Sequence, residues 1–553
     1  VKIVPELREL ILSKAGGNPL FVEELTHNLL ENGSIRMKDS QYVLTRRISE
    51  IHVPDSIQAI VAARMDRLEE SLKRIMQVAS VIGREFAFRI LQTIMGMREE
   101  LKSHLLNLQG LEFIYEKSLF PELEYIFKHA LTQEVAYNSL LQKRRQQIHE
   151  NIGQAIESLY SQRLEEFYEV LAFHYGRSDN KDKAIEYIYL ASQKAVELSA
   201  MEEAMAYFEE AMKLLDELPD DKLNQKRRIT FIINHWPTFF LLLKRAEQYE
   251  LLTRYEPMAV GLKDPGLLGS FYTILGSAEW WFGHLSRSIQ TSVESARLCE
   301  EVGDNEKSGI ASMGLIWSYV WIGDMDKAIN LREDVRRQLE KAFNPRTYVM
   351  SMSGTSMAYS QLGQWEHAIS DGHEALNVAE EYSNNSLASF AAFTISHAYI
   401  LGNNSSQALE FAELAVQKAP TIADKVFSQS ALSFSLCRSG EVHKGIEIGS
   451  ELLPLYQFAG FKPGEVFVTR WVGEGFFLND EHEKATQTIK HALELAKQCE
   501  MKFYIGWAYR LLGEIVLKTY PIQAGEPLAT AHFKESITIF QEIKAENELA
   551  LAY

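Results

Sequence analysis

The sequence predicts a mainly all-α protein, with a small part of helices and one hairpin at the N-terminus and a long solenoid of stacked helix pairs behind it. Three observations predict it. Apolar residues recur at helical spacing almost everywhere beyond Ile148. Gly283, Gly323, Gly363, Gly402 and Gly440 follow one another at intervals of 40, 40, 39 and 38 residues, the period of a stacked unit. The 553 residues exceed what one hydrophobic core supports, while 14 prolines and 31 glycines are too few for a collagen-like or disordered chain.

Taken in order, Leu7, Leu10 and Ile11 form an apolar stripe at helical spacing, and Gly16 and Gly17 supply the positive φ that ends that helix. Pro19 opens a second helix, amphipathic from Leu20 to Leu30 and stopped by Asn32 and Gly33. Tyr42, Val43 and Leu44 form a short strand, and the next helix begins after Pro54 with Asp55 or Ser56 as its cap. Ile57, Ile60, Val61 and Leu68 line the first of three helices, and Leu101, Leu105 and Leu108 line a later one. Phe113, Ile114 and Tyr115, then Tyr125, Ile126 and Phe127, make a two-stranded wing around Pro121. Three helices and a hairpin describe a winged-helix domain over 51–147, behind a separate segment 1–50. First helical repeats follow over 148–228 and a superhelix over 229–553. Because the chain starts at Val1 without methionine and stops inside the helical run Glu546 to Tyr553, a fragment with material missing at both ends is expected.

Inside the superhelix, small residues recur in phase. Ser288, Ala328, Ala368, Ala408, Gly445 and Ala485 open the second helix of each pair, and Gly276, Ser356, Ser396, Ser433 and Gly473 lie twelve residues earlier, with Ile316 the exception. Small residues let two helices approach, and the neighbouring Tyr319, Tyr359, Tyr399 and Phe476 fill the space between pairs. This pattern resembles the tetratricopeptide repeat in a longer form of about 40 residues. The resemblance implies a protein or peptide partner along a concave face, lined by Trp281, Trp317, Trp321, Met357, His397, Phe434, Arg438 and Glu474. Trp317 and Trp321 read equally well as packing between neighbouring repeats.

Asp and Glu outnumber Lys and Arg by 75 to 57, and a net charge of -18 repels the phosphate backbone, so nucleic acid is not an expected partner. In the later winged-helix helix, Glu99 and Glu100 precede Lys102, Ser103, His104 and Asn107 and would face phosphates; Lys143, Arg144 and Arg145 read as DNA contacts or a solvated face. Cys299, Cys437 and Cys499 show neither a zinc spacing nor a disulfide framework, no stretch is apolar enough for a membrane span, and a cytoplasmic location is expected. No phosphate loop, H-E-x-x-H, nucleophile elbow or G-x-G-x-x-G occurs, so neither ATP hydrolysis nor cyclic-nucleotide synthesis, and no metal, is expected of this chain.

Three further segments carry a second resemblance. Lys14-Ala-Gly-Gly-Asn-Pro-Leu-Phe-Val-Glu-Glu-Leu25, Val78-Ala-Ser-Val-Ile-Gly-Arg-Glu-Phe86 and Phe127-Lys-His-Ala-Leu-Thr-Gln-Glu-Val-Ala-Tyr137 resemble, in this order, the lid and winged helix of bacterial signal-transduction ATPases. That family joins a nucleotide-binding module to a winged helix and a superhelical sensor, and many members of similar order also carry a class III adenylate or guanylate cyclase. The resemblance implies that Gly17 and Pro19 pack on the adenine ring and His129 approaches the β-phosphate of ADP, in a full-length protein whose upstream module holds ATP or ADP. Ala130 stands where the family commonly has Asp. On local chemistry alone Gly-Asn-Pro is an ordinary helix connection and His129 a half-buried histidine donating to a carbonyl. Two functions follow: the regulatory half of a signalling ATPase controlling a nucleotide cyclase, or a free-standing tetratricopeptide adaptor without nucleotide dependence.

Overall fold

The computed structural model describes residues 2–38, 41–51, 53–96, 100–119, 121–520 and 522–553. They fall into two compact units, Val1–Glu217 and Leu218–Tyr553.

In the first unit, β1 (Lys2–Ile3) precedes α1 (Pro5–Ala15) and α2 (Pro19–Glu31). Asn18 caps α2 by accepting from the amides of Leu20 and Phe21, and Gly16 ends α1 at φ 55°. β2 (Ile35–Lys38) and β3 (Gln41–Leu44) form a hairpin with β1 parallel to β3; the sequence showed only β3. α3 (Ile57–Met65) starts at Ser56, whose hydroxyl accepts from Ala59. Then come α4 (Glu70–Ile82), β4 (Glu85–Ala87), α5 (Phe88–Met95), α6 (Glu100–Gly110), β5 (Ile114–Ser118) and β6 (Glu124–Phe127), with strand order β4-β6-β5. The expected three helices and hairpin are present, plus a third strand whose three residues are too short to announce themselves. On α6, Leu101, Leu105 and Leu108 are buried while Lys102, Ser103 and Asn107 face outward; Glu99 lies outside the described residues. α7 (Ala130–Asn138), α8 (Gln142–Leu159), α9 (Tyr168–Gly176), α10 (Lys181–Glu197) and α11 (Met201–Asp216) complete the unit.

Arg64 of α3 ties these parts together. Its guanidinium, 2% exposed, bonds Glu24 Oε2 at 2.6 Å, Glu31 Oε1 at 2.6 and 2.8 Å, and the Leu111 carbonyl at 2.9 Å.

The second unit opens with α12 (Lys222–Asn234), α13 (Trp236–Leu241) and α14 (Arg245–Gly261). Helix pairs follow: α15 (Pro265–Trp281) with α16 (Leu285–Glu301), α17 (Asn305–Ile322) with α18 (Met325–Lys341), α19 (Pro345–Leu362) with α20 (Trp365–Glu381), and α21 (Asn385–Leu401) with α22 (Ser405–Lys418). The series continues with α23 (Ile422–Ser439) and α24 (Val442–Ala459), α25 (Lys462–Leu478) and α26 (His482–Gln498), α27 (Lys502–Thr519) and α28 (Ile522–Glu542), and then α29 (Glu546–Ala552).

The twelve-residue spacing has a chemical meaning. Ser356 Oγ donates to the carbonyl of Ala368 at 2.7 Å, Ser396 to Ala408 at 2.8 Å, Ser433 to Gly445 at 2.7 Å, and Ser288 back to Gly276 at 2.8 Å. A hydroxyl on one helix reaches a partner backbone only when both residues at the crossing are small. The exposed ends of early pairs then meet pairs five repeats later. A Cβ on Gly283 would lie 2.4 Å from Cys499 Sγ, and one on Gly363 3.2 Å from Asn547 Cβ. Ser286 donates to Glu500 at 2.7 Å, and Lys544 pairs with Asp326 at 2.6 Å.

Candidate functional site

Two places collect the residues that the sequence singles out. In the first unit, Gly17 and Pro19 are exposed in the turn that opens α2. His129 is the residue before α7, and its Nε2 lies 3.6 Å from Glu23 Oε2, one turn into the helix that Pro19 begins. Lys128 pairs with both Glu23 and Glu112. That ammonium is the chief reason the Glu23 and Glu112 carboxyls are held below their ordinary range, and against the cost of burial these two carboxylates raise Lys128. Glu23, His27 and Glu112 bring ligand atoms within 4.8 Å of one another, but the two carboxylates already share the ammonium of Lys128. His129 Nε2 thus faces a carboxylate of α2 beyond hydrogen-bond distance and has no hydrogen-bond partner, where a bonded carbonyl was the simpler expectation.

In the second unit the expected groove residues are corrected by their burial. Trp317, Trp321, Met357, His397, Phe434 and Glu474 are 0–5% exposed. Trp281 is half-buried and donates from Nε1 to the Ala459 carbonyl at 2.8 Å, with its ring 4.6 Å from Phe461. Arg438 alone stays exposed, paired with Glu474. The cause is the pitch of the superhelix: α15, α17 and α19 return against α25, α27 and α29, so the inner face closes on itself as an axial core. Trp317 packs on Phe390 and donates to the Met350 carbonyl; Trp321 meets Phe467 and Tyr504; His397 meets Phe467 and Trp471; Phe434 stacks on Trp471.

The residue that sequence reasoning missed is Arg470. It is 1% exposed, with its guanidinium carbon 3.5 Å from the Trp471 ring centroid, 4.4 Å from Trp507 and 5.4 Å from Tyr504. None of its three guanidinium nitrogens has an acceptor in good hydrogen-bond geometry; burial holds it down to about 10, against Tyr504 beside it and the carboxylates of Glu474 and Glu548, which favour its charge. Nearby, His397 Nε2, Glu474 Oε2, Tyr504 Oη and the Trp471 and Trp507 indole nitrogens are also buried without such partners. Burial, reinforced by Arg470, pushes His397 down to about 3. In sequence α25 carries Lys462, Glu465, Thr469, Arg470 and Glu474 and reads as an ordinary amphipathic helix; only the structure shows that every residue from Pro463 to Gly475 is buried, where an arginine is out of place.

No family model matches the chain. An uncharacterized protein of Rhizobium meliloti (strain 1021) is 25% identical over 224 residues, which are 39% of this chain and 21% of that protein, so the chain matches about a fifth of this relative's length. Among solved structures, the Rap protein complexed with Competence and Sporulation Factor aligns with 66% of this chain and 99% of its own at TM-score 0.51 and 14% identity. Two more are similar at TM-scores too low to argue from. A STAND signal-transduction ATPase with a tetratricopeptide repeat sensor from Pyrococcus horikoshii scores 0.47 at 13% identity, over 88% of this chain and 69% of its own. The apo quorum sensor NprR of B. thuringiensis scores 0.45 at 15% identity, over 62% and 96%. The fold is that of a helical repeat protein of the tetratricopeptide type.

Proposed function

We propose that the chain is the regulatory and sensing segment of a larger signalling ATPase. Its repeats take an extended protein or peptide segment along the inner face, and the lid and winged-helix region pass the response to a nucleotide module and from there to a nucleotide cyclase. The observation that carries the sensing role is the axial cluster between aromatic walls, in which the Arg470 guanidinium, His397 Nε2 and Glu474 Oε2 lack hydrogen bonds, while His397 Nδ1 meets Ser360 and the other Glu474 oxygen meets Arg438. Such groups cost free energy in a closed core and are satisfied by a chain that brings a carboxylate and backbone amides. The closed superhelix is then a resting form, and a ligand competes with its inter-turn seam. Support also comes from the Rap protein of similar fold, whose structure is of a complex with a factor. The coupling role rests on the three ordered motifs, with Gly17, Pro19 and His129 assigned to bound ADP.

The test is selection of peptides with free carboxylates from a random library by the whole chain and by Arg470→Met. Enrichment by the native chain and its loss in the variant are expected. Equal enrichment by both, or none by either, removes the axial site.

A further inference from the structure

The stretch joining the hairpin region to the first helical repeats surrounds an open cavity of about 340 Å³, within the size range of small-molecule sites. Its wall carries Arg145, Arg177 and Lys181, together with Tyr137, His149 and Ser178. No carboxylate lines it.

That charge pattern is unusual in this chain. Acidic residues outnumber basic ones by 75 to 57, and most buried or half-buried cations elsewhere meet a carboxylate. Arg145 instead lies over the Tyr137 ring at 4.5 Å and Arg177 over Phe173 at 3.8 Å, and among the described residues neither pairs with a carboxylate. Only Lys181 has one, Glu217 at 3.6 Å. Two long helices also begin at the cavity. Arg145 stands in the first turn of α8, where Leu141 offers no capping side chain, and Lys181 is the first residue of α10. Asn180 caps α10 through the Lys183 amide, so the uncapped amides of α8, with the dipoles of both helices, add positive potential to the three side-chain cations.

The wall is held rigid from behind. His149, 1% exposed, has its Nε2 3.2 Å from Tyr137 Oη and its Nδ1 2.9 Å from His174 Nδ1. One Nδ1 carries the proton and the other accepts it, so both rings are fixed. Burial first, then Arg177 and Arg145 on the same wall, push His149 down to about 4.

We propose that this cavity is a binding site for a phosphate group. Three cations and the uncapped N-terminus of α8 offer more donors than a single carboxylate uses, and they match a dianion with three acceptor oxygens. The net charge of -18 opposes a nucleic-acid backbone as its source and leaves free phosphate or a small phosphorylated molecule.

The test is calorimetric titration of the whole chain with inorganic phosphate, pyrophosphate and a sugar phosphate, against Arg145→Gln, Arg177→Gln and, as a control, Lys143→Gln. Lys143 is exposed on the same helix and does not line the cavity. Saturable binding is expected, weakened about ten-fold or more by either arginine variant and unchanged by the control. Tighter binding of the sugar phosphate identifies an organic phosphate, and tighter binding of the inorganic ion identifies free phosphate; both support the site. No saturable binding at low salt, equal loss in Lys143→Gln, acetate binding as tightly, or preference for duplex DNA each overturns it. Thermal melting of each variant separates lost binding from lost fold. The cavity belongs to the first unit and shares no residue with the axial cluster of the second, so Arg470→Met is expected to leave this binding unchanged.

Discussion

A guanidinium withdrawn from water costs several kcal/mol unless acceptors replace its hydration, and Arg64 and Arg470 are the contrasting cases among the buried arginines. Arg64 has Glu24, Glu31 and a carbonyl around it, and Glu24 is itself 2% exposed. Arg64→Met leaves that carboxylate buried and unpaired, so we expect a loss of about 3–5 kcal/mol in urea unfolding of the first unit. Arg470 has aromatic faces and no bonded acceptor, so Arg470→Met, close in volume, should stabilise by roughly 1–4 kcal/mol while abolishing the proposed peptide binding. A lower urea midpoint in that variant would show that the ring faces already compensate the charge. The buried histidines act through pH. Burial pushes His149 and His235 down to about 4, and His174 and His397 down to about 3. Unfolded histidines titrate near 6.5, so the unfolded chain binds more protons below that pH, and the stability held above it is lost as pH falls toward these lowered values. Glu279, raised to about 7 by burial, has the opposite sign: its contribution is complete below the ordinary carboxylate range and fades as pH rises to 7. His532 is lowered by burial as well, and Asp371 and Glu514 are raised, so five histidines stand against three carboxyls and the urea midpoint should be lower at about pH 5 than at about pH 7; an equal or higher midpoint refutes this balance.

At the scale of the element, the helix pair is held by contact of small residues, which is why its period was legible. Gly276, Ser356, Ser396, Ser433 and Gly473 stand where two backbones come close, and the sequence must place a small residue there at every repeat. The crossing at Gly473 is the tightest: a Cβ there would lie 2.3 Å from Ile489 Cδ1 and 2.9 Å from its Cγ1. Gly473→Val adds branched atoms to a space already filled, in a helix buried on all sides, and should cost roughly 1–3 kcal/mol or more. A variant as stable as the native chain would mean that α25 and α26 can move apart freely. The third strand and the axial aromatic core were not legible, for different reasons. β4 has three residues, Glu85, Phe86 and Ala87, too few for an alternation to register. The burial of Trp321 by Phe467 and Tyr504 depends on how far the superhelix turns over four to five repeats, a sum of small rotations that no single repeat encodes, while His397 and Phe434 are covered by Trp471 of α25, two repeats and one repeat on. Positions chosen by repeat phase therefore landed on the inner face, while their accessibility was set by later helices.

In the second unit as a whole, that return changes how stress should spread. An open solenoid is a one-dimensional stack in which each repeat feels only its neighbours. Here Trp281 at the end of α15 bonds the Ala459 carbonyl and packs on Phe461, 178 residues ahead of the carbonyl it meets. Gly460, in the same corner, would bring a Cβ to 3.0 Å from Phe282. Trp281→Ala removes the indole donor and the ring from this seam, a truncation worth roughly 3 kcal/mol for a partly buried tryptophan. If the seam is a real coupling, hydrogen exchange should speed up in two separated stretches, 265–281 and 456–478, while the intervening helices α19 and α20 keep their protection. The peptide reading makes the same variant informative in a second way: with the seam weakened, the resting form loses part of its advantage and ligands of the axial site should bind more tightly, not less. Deprotection confined to α15 and α16 would mean that the turns lie against each other without holding each other, and the closed superhelix would no longer explain why a ligand has to compete for its interior.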